Sequence, residues 1–200
     1  MQPKRALLNA ADYLAREFLE RERHEYVNGQ VYALSGASRR HGQVIANLAT
    51  PAHIAARKLA GCQVFSQGVK VHVAARNSYY YPDVGASCES GDSDEYIVRE
   101  PCFLIEVLSP ATASIDRREK RLAYMTLDSL TEYVMVEQER MRVDFYQRDG
   151  GTWNLYILRQ PDEVVELSCL ALRLTLEQIY DGVDLSLRVS EPEPPEYLTA

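Results

Sequence analysis

The sequence is poor in cysteine, which argues against a chain held together by sulfur chemistry. Its four cysteines stand at positions 62, 88, 102 and 169, with no C-x-x-C pair and no histidine at zinc-ligand spacing. A chain of 200 residues is also large enough to build its core without disulfides. We therefore expect reduced, mostly buried thiols.

Long apolar runs are also missing near the N-terminus. After Lys4 and Arg5, only the stretch from Ala6 to Leu8 is apolar before Asn9 and Asp12 interrupt it. This stretch is too short for a secretory signal or a membrane span. The sequence predicts a cytoplasmic protein without membrane segments.

Positive charge is in deficit, with 22 Lys and Arg against 29 Asp and Glu and a formal net charge of −7. Such a charge repels phosphate backbones at long range and argues against a monomer that coats nucleic acid nonspecifically. DNA binding would need a local basic patch or divalent cations. A homodimer, which could gather basic residues from two chains around a groove, is the expected assembly.

The overall composition is that of a soluble globular protein, since 46% of the residues are hydrophobic and 26% are charged. We predict a single domain over residues 1–188. The last segment, 189–200, is rich in Pro and Glu and is predicted to be disordered.

The order of predicted elements indicates a mixed α/β or α+β fold. A helix over about 9–22 precedes a hairpin with Asn28-Gly29 at its turn, and a second helix ends at Gly61. Several strands follow, beginning with "CQVFSQGVKVHV", which alternates as one half-buried strand. A further helix, a three-strand meander and a last short helix complete the chain. This order predicts a mixed central β-sheet flanked by helices.

One charged residue interrupts the most apolar of these strands. Glu106 lies inside the run "FLIEVL" at 103–108. A carboxylate removed from water costs several kcal/mol unless it is paired, hydrogen-bonded, protonated or bound to a metal, so Glu106 needs a partner.

Asp83 offers one explanation, because it stands at the start of what is predicted to be the adjacent strand. Two carboxylates on neighbouring strands can bind one Mg²⁺ or Mn²⁺ and leave positions for water and a substrate phosphate. The alternatives stay open: Asp83 as a strand-start residue, and Glu106 in a buried salt bridge with Arg117, Arg118 or Lys120.

The helix predicted after the Glu106 strand carries a lysine that can reach the same site if the helix folds back over the sheet. Asp116 and Glu119 have the spacing of a capping box, so a helix is predicted from Asp116 to about Leu127. Lys120 and Tyr124 follow Asp116 at four-residue intervals and share one face of that helix. A lysine near a metal-bound water can orient it or stabilise phosphoryl charge. The alternative is a solvated lysine in the run "RREKR".

Taken together, "YYYPDV" and "PCFLIEVLSPATASIDRREKRLAY" resemble the PD-(D/E)XK nuclease superfamily and, within it, the bacterial family of Uma-type restriction endonucleases. The resemblance implies a restriction-endonuclease-like core, with Asp83 and Glu106 as metal ligands and the Val107 backbone carbonyl as a further ligand. It also implies that Glu25 of the N-terminal hairpin points into the same pocket; a solvent-facing Glu25 is the alternative.

The sequence departs from the superfamily pattern at Leu108, where a lysine is usual. The resemblance implies that Lys120 replaces it from the following helix. His41, Gln67 and Lys70 are further candidates for supporting the site, together with Asp116 and Tyr124. For His41 the alternative is an ordinary histidine at the start of a helix.

The predicted function is that of a Mg²⁺-dependent DNA endonuclease, with Mn²⁺ as a possible substitute. The alternative is a nuclease-like protein that binds nucleic acid or another partner without cleaving it. A glycosidase that uses Glu106 as its acid is disfavoured by the lysine and by the lack of an aromatic platform for sugar.

Overall fold

The computed structural model describes residues 7–34, 36–88, 94–109 and 116–186. Its elements confirm the predicted α+β class, with α-helices of 4 to 18 residues and thirteen strands among these residues. A π-helical turn, Asp116–Lys120, leads directly into the third α-helix. The elements are α1 (Ala10–Glu17), β1 (His24–Val27), β2 (Gln30–Ala33), α2 (Arg39–Ala56), β3 (Gln63–Ser66), β4 (Lys70–Val73), β5 (Ser78–Tyr80), β6 (Val84–Ser87), β7 (Ile97–Val98), β8 (Phe103–Leu108), α3 (Arg121–Tyr124), β9 (Glu132–Glu137), β10 (Val143–Asp149), β11 (Thr152–Leu158), β12 (Val164–Leu167), β13 (Leu172–Thr175) and α4 (Leu176–Ile179).

The largest sheet has six strands in the order β11-β10-β9-β8-β6-β3. Strands β8 and β9 run parallel while the other neighbours run antiparallel, so this sheet is mixed, as predicted. A second sheet has the order β2-β1-β5-β4-β7, and β12 pairs with β13 in a third. The strands are therefore divided over three sheets.

Strand β8 contributes to two cores because successive side chains of a strand point to opposite faces. Ile105 and Val107 pack with residues of α2, β9 and β10, whereas Leu104 and Leu108 pack with residues of α3 and β4. Glu106 shares the alternation of Leu104 and Leu108. Its side chain therefore faces α3, the helix that follows β8 in the chain.

The segment "CQVFSQGVKVHV" is the main correction to the predicted elements. It forms two strands, β3 and β4, which belong to different sheets. Gln67 and Gly68 separate them with positive φ angles of 35° and 129°. Such angles leave the extended region, so the chain changes direction before the alternating valines of β4.

The other predicted elements are placed correctly, with shifts at their ends. Asn28 and Gly29 have φ angles of 44° and 96° and join β1 to β2 in the predicted hairpin. The helix predicted over 9–22 ends at Glu17, the one predicted to reach Gly61 ends at Ala56, and the one predicted to reach Leu127 ends at Tyr124.

Two predictions about the chain as a whole remain predictions. Residues 187–200 lie outside the described ranges, so the proposed disordered tail at 189–200 falls outside them, as does the end of the 1–188 domain. Within the described ranges, no helix combines the length and apolar character that crossing a membrane requires.

Gly85 of β6 permits the close packing behind the site, and its replacement by alanine is expected to destabilise the fold by about 1–3 kcal/mol. A β-carbon there would lie 2.5 Å from Cζ of Phe65 and 2.9 Å from Cδ2 of Leu104. Gly42→Ala is the matched control, because that position of α2 has nothing within 4 Å and alanine favours helix. Urea denaturation measures both. Equal stability of Gly85→Ala and wild type would contradict the packing argument.

Candidate active site

Asp83 lies immediately before β6, where the pairing of β6 with β8 ends. The antiparallel register pairs Val84 with Ile105, which brings Asp83 beside Glu106 and Val107. The Val107 N–H donates to Asp83 Oδ2 at 2.7 Å, so the carboxylate continues the hydrogen bonding of β8 beyond the last backbone pair. The predicted adjacency of the Asp83 and Glu106 strands is confirmed.

His41 orients the other oxygen of the same carboxylate. Its Nε2 lies 3.1 Å from Asp83 Oδ1, whereas its buried Nδ1 contacts no hydrogen-bond partner within the described ranges. The Ser38 side chain caps α2 by accepting from the His41 N–H at 3.1 Å, and thereby fixes the helix start. His41 does stand at a helix start, as the alternative had it, but its ring reaches the site.

Glu106 is buried, with 3% of its surface exposed. The Tyr124 hydroxyl donates to Glu106 Oε1 at 3.0 Å, and Lys120 Nζ lies 3.4 Å from the same oxygen. Burial, followed by the charges of Glu106 and Glu25, raises the pKa of Tyr124 well above its usual value. Tyr124 therefore stays protonated and acts as a donor to the carboxylate.

Lys120 connects the two buried glutamates. Its Nζ lies 2.8 Å from Glu25 Oε1 as well as 3.4 Å from Glu106 Oε1, and only 5% of the residue is exposed. Glu25 is 6% exposed and also accepts from the Tyr81 N–H at 3.1 Å. These positions exclude both a solvated Lys120 and a solvent-facing Glu25. The salt-bridge alternative for Glu106 holds in one form, since Lys120 is its cation.

These side chains border an open cleft of about 470 Å³ between the six-stranded sheet and the N-terminal hairpin region. Its lining includes both carboxylates and arginines. The residues that line it are Arg21, Arg23, Leu34, Gly36, Ala37, Ser38, His41, Gln67, Gly68, Tyr81, Asp83, Glu106, Val107, Ser109 and Lys120.

The remaining predicted residues differ in how close they come. Gln67 lines the cleft, and its N–H donates to the Asp83 carbonyl at 3.3 Å. Lys70 lies to one side, with Nζ 3.4 Å from the Tyr81 hydroxyl, and burial lowers the pKa of its ammonium group. The Asp116 side chain falls outside the described residues, so its predicted support and capping stay untested.

Sequence reasoning missed the arginines of the cleft. Arg21 and Arg23 belong to the charge run "ERERHE", and such runs are usually solvated surface. Both line the cleft, and the Arg23 guanidinium lies 5.9 Å from the centre of the Tyr81 ring. It also packs against Gly68, where a β-carbon would come within 2.7 Å of its Nη2. A charge run carries no signal for such a position.

Comparison with known proteins identifies the family of the chain. The family model Uma2, described as "Putative restriction endonuclease", matches residues 10–177. The chain belongs to the Uma2 family. This confirms the resemblance stated from the sequence.

Two relatives come from Synechocystis sp. (strain ATCC 27184 / PCC 6803 / Kazusa). The uncharacterized protein slr1290 is 31% identical over 180 residues, covering 88% of this chain and 93% of the relative. The uncharacterized protein sll1609 is 31% identical over 172 residues, covering 83% and 96%. The names of these two relatives do not state an activity.

A solved structure has the same fold as this Uma2 protein. The crystal structure of a putative nuclease belonging to DUF820 from Anabaena variabilis ATCC 29413 matches with a TM-score of 0.68 and 15% identity. The match covers 82% of this chain and 96% of the other. The predicted restriction-endonuclease-like core is confirmed.

The donor set of this Uma2 protein fits a hard divalent cation. Asp83 and Glu106 reach the same cleft, and Lys120 can neutralise at most one charge of the Glu25–Glu106 pair. Among the described residues, no Asp, Glu or His atoms here form a group of three within 4.8 Å of one another. An ion would therefore rely on two carboxylates, backbone oxygen and water, which is the usual coordination of Mg²⁺.

Proposed function

We propose that this Uma2 protein is a metal-dependent DNA endonuclease that hydrolyses phosphodiester bonds. The observation that carries the proposal is the buried Lys120, held between Glu25 and Glu106 at the wall of the cleft that Asp83 enters. Structural stability alone does not favour burying three charges side by side, because desolvation of each ion costs several kcal/mol. Such clusters are typical of sites that handle charged substrates.

In this proposal, Asp83, Glu106 and the Val107 backbone carbonyl hold Mg²⁺, with Mn²⁺ as a substitute. The ion would supply Lewis-acid stabilisation of a phosphoryl oxygen and a bound water of lowered pKa. The Uma2 family context and the hard oxygen donors support divalent metal of this kind.

The side chains of the chain have separate tasks. Lys120 directs its ammonium group towards the attacking water and the charge that develops on phosphorus. Glu25 and Tyr124 position Lys120 and Glu106 through the contacts described above. His41 holds the Asp83 carboxylate in its orientation. Arg21 and Arg23 can pair with phosphates of the bound strand.

The proposal places the protein in the cytoplasm, where its DNA substrate lies, and as a homodimer. Cutting both strands of a duplex requires two sites or two visits. Strand β11 supports an assembly, because it is the sheet edge and exposes Leu155, Tyr156 and Ile157 in succession. An exposed apolar edge strand is a ready surface for pairing with another chain.

Incubation with supercoiled plasmid tests these points. With Mg²⁺ or Mn²⁺ we expect conversion to nicked and linear DNA, and none in EDTA. Linear product formed without accumulation of nicked circles would support a dimer that cuts both strands in one encounter.

Failure of the wild type to cleave plasmid, single-stranded DNA or RNA with either metal would overturn the nuclease proposal. Metal binding that depends on Asp83 and Glu106 in such a protein would identify the alternative, a nuclease-like binding protein. Isothermal titration with Mn²⁺ in the absence of DNA measures that binding.

A further inference from the structure

The four cysteines are not the reduced, mostly buried thiols that the sequence predicts, because all four are oxidised and half-buried. They form the disulfides Cys62–Cys88 and Cys102–Cys169, and within the described residues no cysteine is left over. The two pairs are also neighbours, since Cys88 Sγ lies 4.0 Å from Cys102 Sγ. The four cysteine sulfurs therefore lie in one half-buried cluster.

The cluster is assembled from four separate parts of the fold. Cys62 precedes β3, Cys88 follows β6, Cys102 precedes β8, and Cys169 lies in the short 3-10 turn between β12 and β13. Sequence separations of 26 residues and 67 residues within the pairs show that no local motif brings them together.

Backbone hydrogen bonds hold the sulfur-bearing residues in place. The Cys102 N–H donates to the Ala86 carbonyl at 2.7 Å, and the Cys102 carbonyl accepts from the Thr131 N–H at 2.9 Å. The side chains pack against the main hydrophobic core beneath. Reduction of the disulfides would therefore leave the four thiols close together rather than dispersed.

Three of the four sulfurs have the spacing of a thiolate metal site, and the fourth is bonded to one of them. The sulfurs of Cys88, Cys102 and Cys169 all lie within 4.8 Å of one another, and Cys62 is bonded to the first of them. In a tetrahedral zinc site, Zn–S bonds of about 2.3 Å place the sulfurs about 3.8 Å apart. The non-bonded distance of 4.0 Å between Cys88 and Cys102 agrees with that spacing.

We propose that the reduced chain binds one Zn²⁺ through Cys62, Cys88, Cys102 and Cys169. Four thiolates are a soft donor set that selects Zn²⁺ over Mg²⁺, and a closed set of four protein ligands is typical of structural zinc. Disulfides do not persist in a reducing compartment. Under those conditions, binding of Zn²⁺ would stabilise the four neighbouring thiols as thiolates.

The disulfide form and the zinc form differ by the reduction of two disulfide bonds. Opening both disulfides takes four electrons and four protons, which two equivalents of a dithiol reductant supply. Zinc binding then releases the protons of the coordinated thiols to solvent. The disulfide form of the structure and the zinc form are alternative states of the same four residues.

The proposed zinc site is distinct from the cleft and does not rest on the nuclease proposal. Cys88 and Cys102 lie at the opposite ends of β6 and β8 from Asp83 and Glu106. Asp83 and Cys88 are five residue steps apart along this strand, which corresponds to about 17 Å. An effect of zinc on the protein would therefore act through the strand pair that carries both sites.

Metal analysis of the full chain tests the proposal. Protein reduced with a dithiol, exposed to Zn²⁺ and desalted is expected to retain one zinc per chain, and the oxidised protein none. Replacing zinc with Co²⁺ is expected to produce visible absorption of tetrahedral cobalt together with sulfur-to-cobalt charge transfer. Metal bound by the carboxylates of the cleft would lack that charge-transfer band.

Cys102→Ser and Cys88→Ser are expected to lose the retained zinc. Ser168→Ala, an exposed change beside Cys169, serves as the control and should keep it. If the serine variants fail to fold, the cobalt spectrum of the wild type still decides the matter. Four titratable thiols without retained zinc, a cobalt complex without thiolate absorption, or zinc that survives both substitutions would each overturn the proposal.

Discussion

Glu106→Gln is expected to lower the rate of DNA cleavage by about 10³-fold or more at saturating Mg²⁺, because it removes a negative charge from the proposed metal site. Loss of a metal contact that stabilises phosphoryl charge by several kcal/mol corresponds to a factor of this size. The change keeps the shape of the side chain and can still accept from Tyr124, so the fold should survive. Single-turnover cleavage of plasmid, with substrate in deficit, measures the rate.

Glu132→Gln is the matched control for this change. Glu132 is also a buried glutamate of the same sheet, 1% exposed, but it lies at the start of β9 beside Phe103, away from the cleft. The control should retain wild-type cleavage within a few-fold, whatever it does to stability. Cleavage by Glu106→Gln above a tenth of the wild-type rate would remove Glu106 from the proposed metal site.

Lys120→Met is expected to affect both catalysis and folding. Loss of a positioned group that assists proton transfer and charge stabilisation lowers rates by about 10²–10⁴-fold. The same change leaves Glu25 and Glu106 without their shared cation, and removal of one partner from a buried ion pair costs about 3–5 kcal/mol. Urea denaturation in EDTA and plasmid cleavage in Mg²⁺ measure the two effects separately.

A double variant separates the structural role of Lys120 from its catalytic role. Glu25→Gln combined with Lys120→Met removes one of the two uncompensated carboxylates and should recover part of the lost stability. It should recover none of the cleavage. Arg118→Met, an exposed change in the same turn, should leave both quantities near wild type.

Restored cleavage in the Glu25→Gln, Lys120→Met double variant would assign Lys120 a purely structural role. Unchanged stability in Lys120→Met would contradict the burial of its ammonium group between the two glutamates. The two measurements can therefore fail independently.

Local patterns were sufficient for most of the fold and for the first two site residues. The apolar run of β8 with one carboxylate, and Asp83 before the adjacent strand, are properties of short segments. Hydrophobic alternation and turn chemistry likewise act over a few residues, which is why the hairpin at Asn28-Gly29 and the meander of β9 to β11 could be predicted. The split between β3 and β4 could not, because a single glycine within a strand pattern is compatible with a local bulge as well as with a turn between two sheets.

A charge run does not predict which of its side chains are buried. Arg117 and Lys120 stand in the same run, yet Arg117 pairs with Glu137 and Asp144 while Lys120 enters the buried site. The π-helical turn that sets these directions is not encoded in any charge pattern.

The α+β class, the family resemblance and the adjacency of the Asp83 and Glu106 strands follow from the sequence alone, since they depend on local order or on contacts between neighbouring strands. Three features are visible in the folded chain alone: Lys120 lies between Glu25 and Glu106, Arg21 and Arg23 line the cleft, and the four cysteines lie close together. These groups come together through the packing of elements that are far apart in the sequence. Contacts of that kind produce no periodic pattern in the amino-acid sequence, so local patterns cannot predict them.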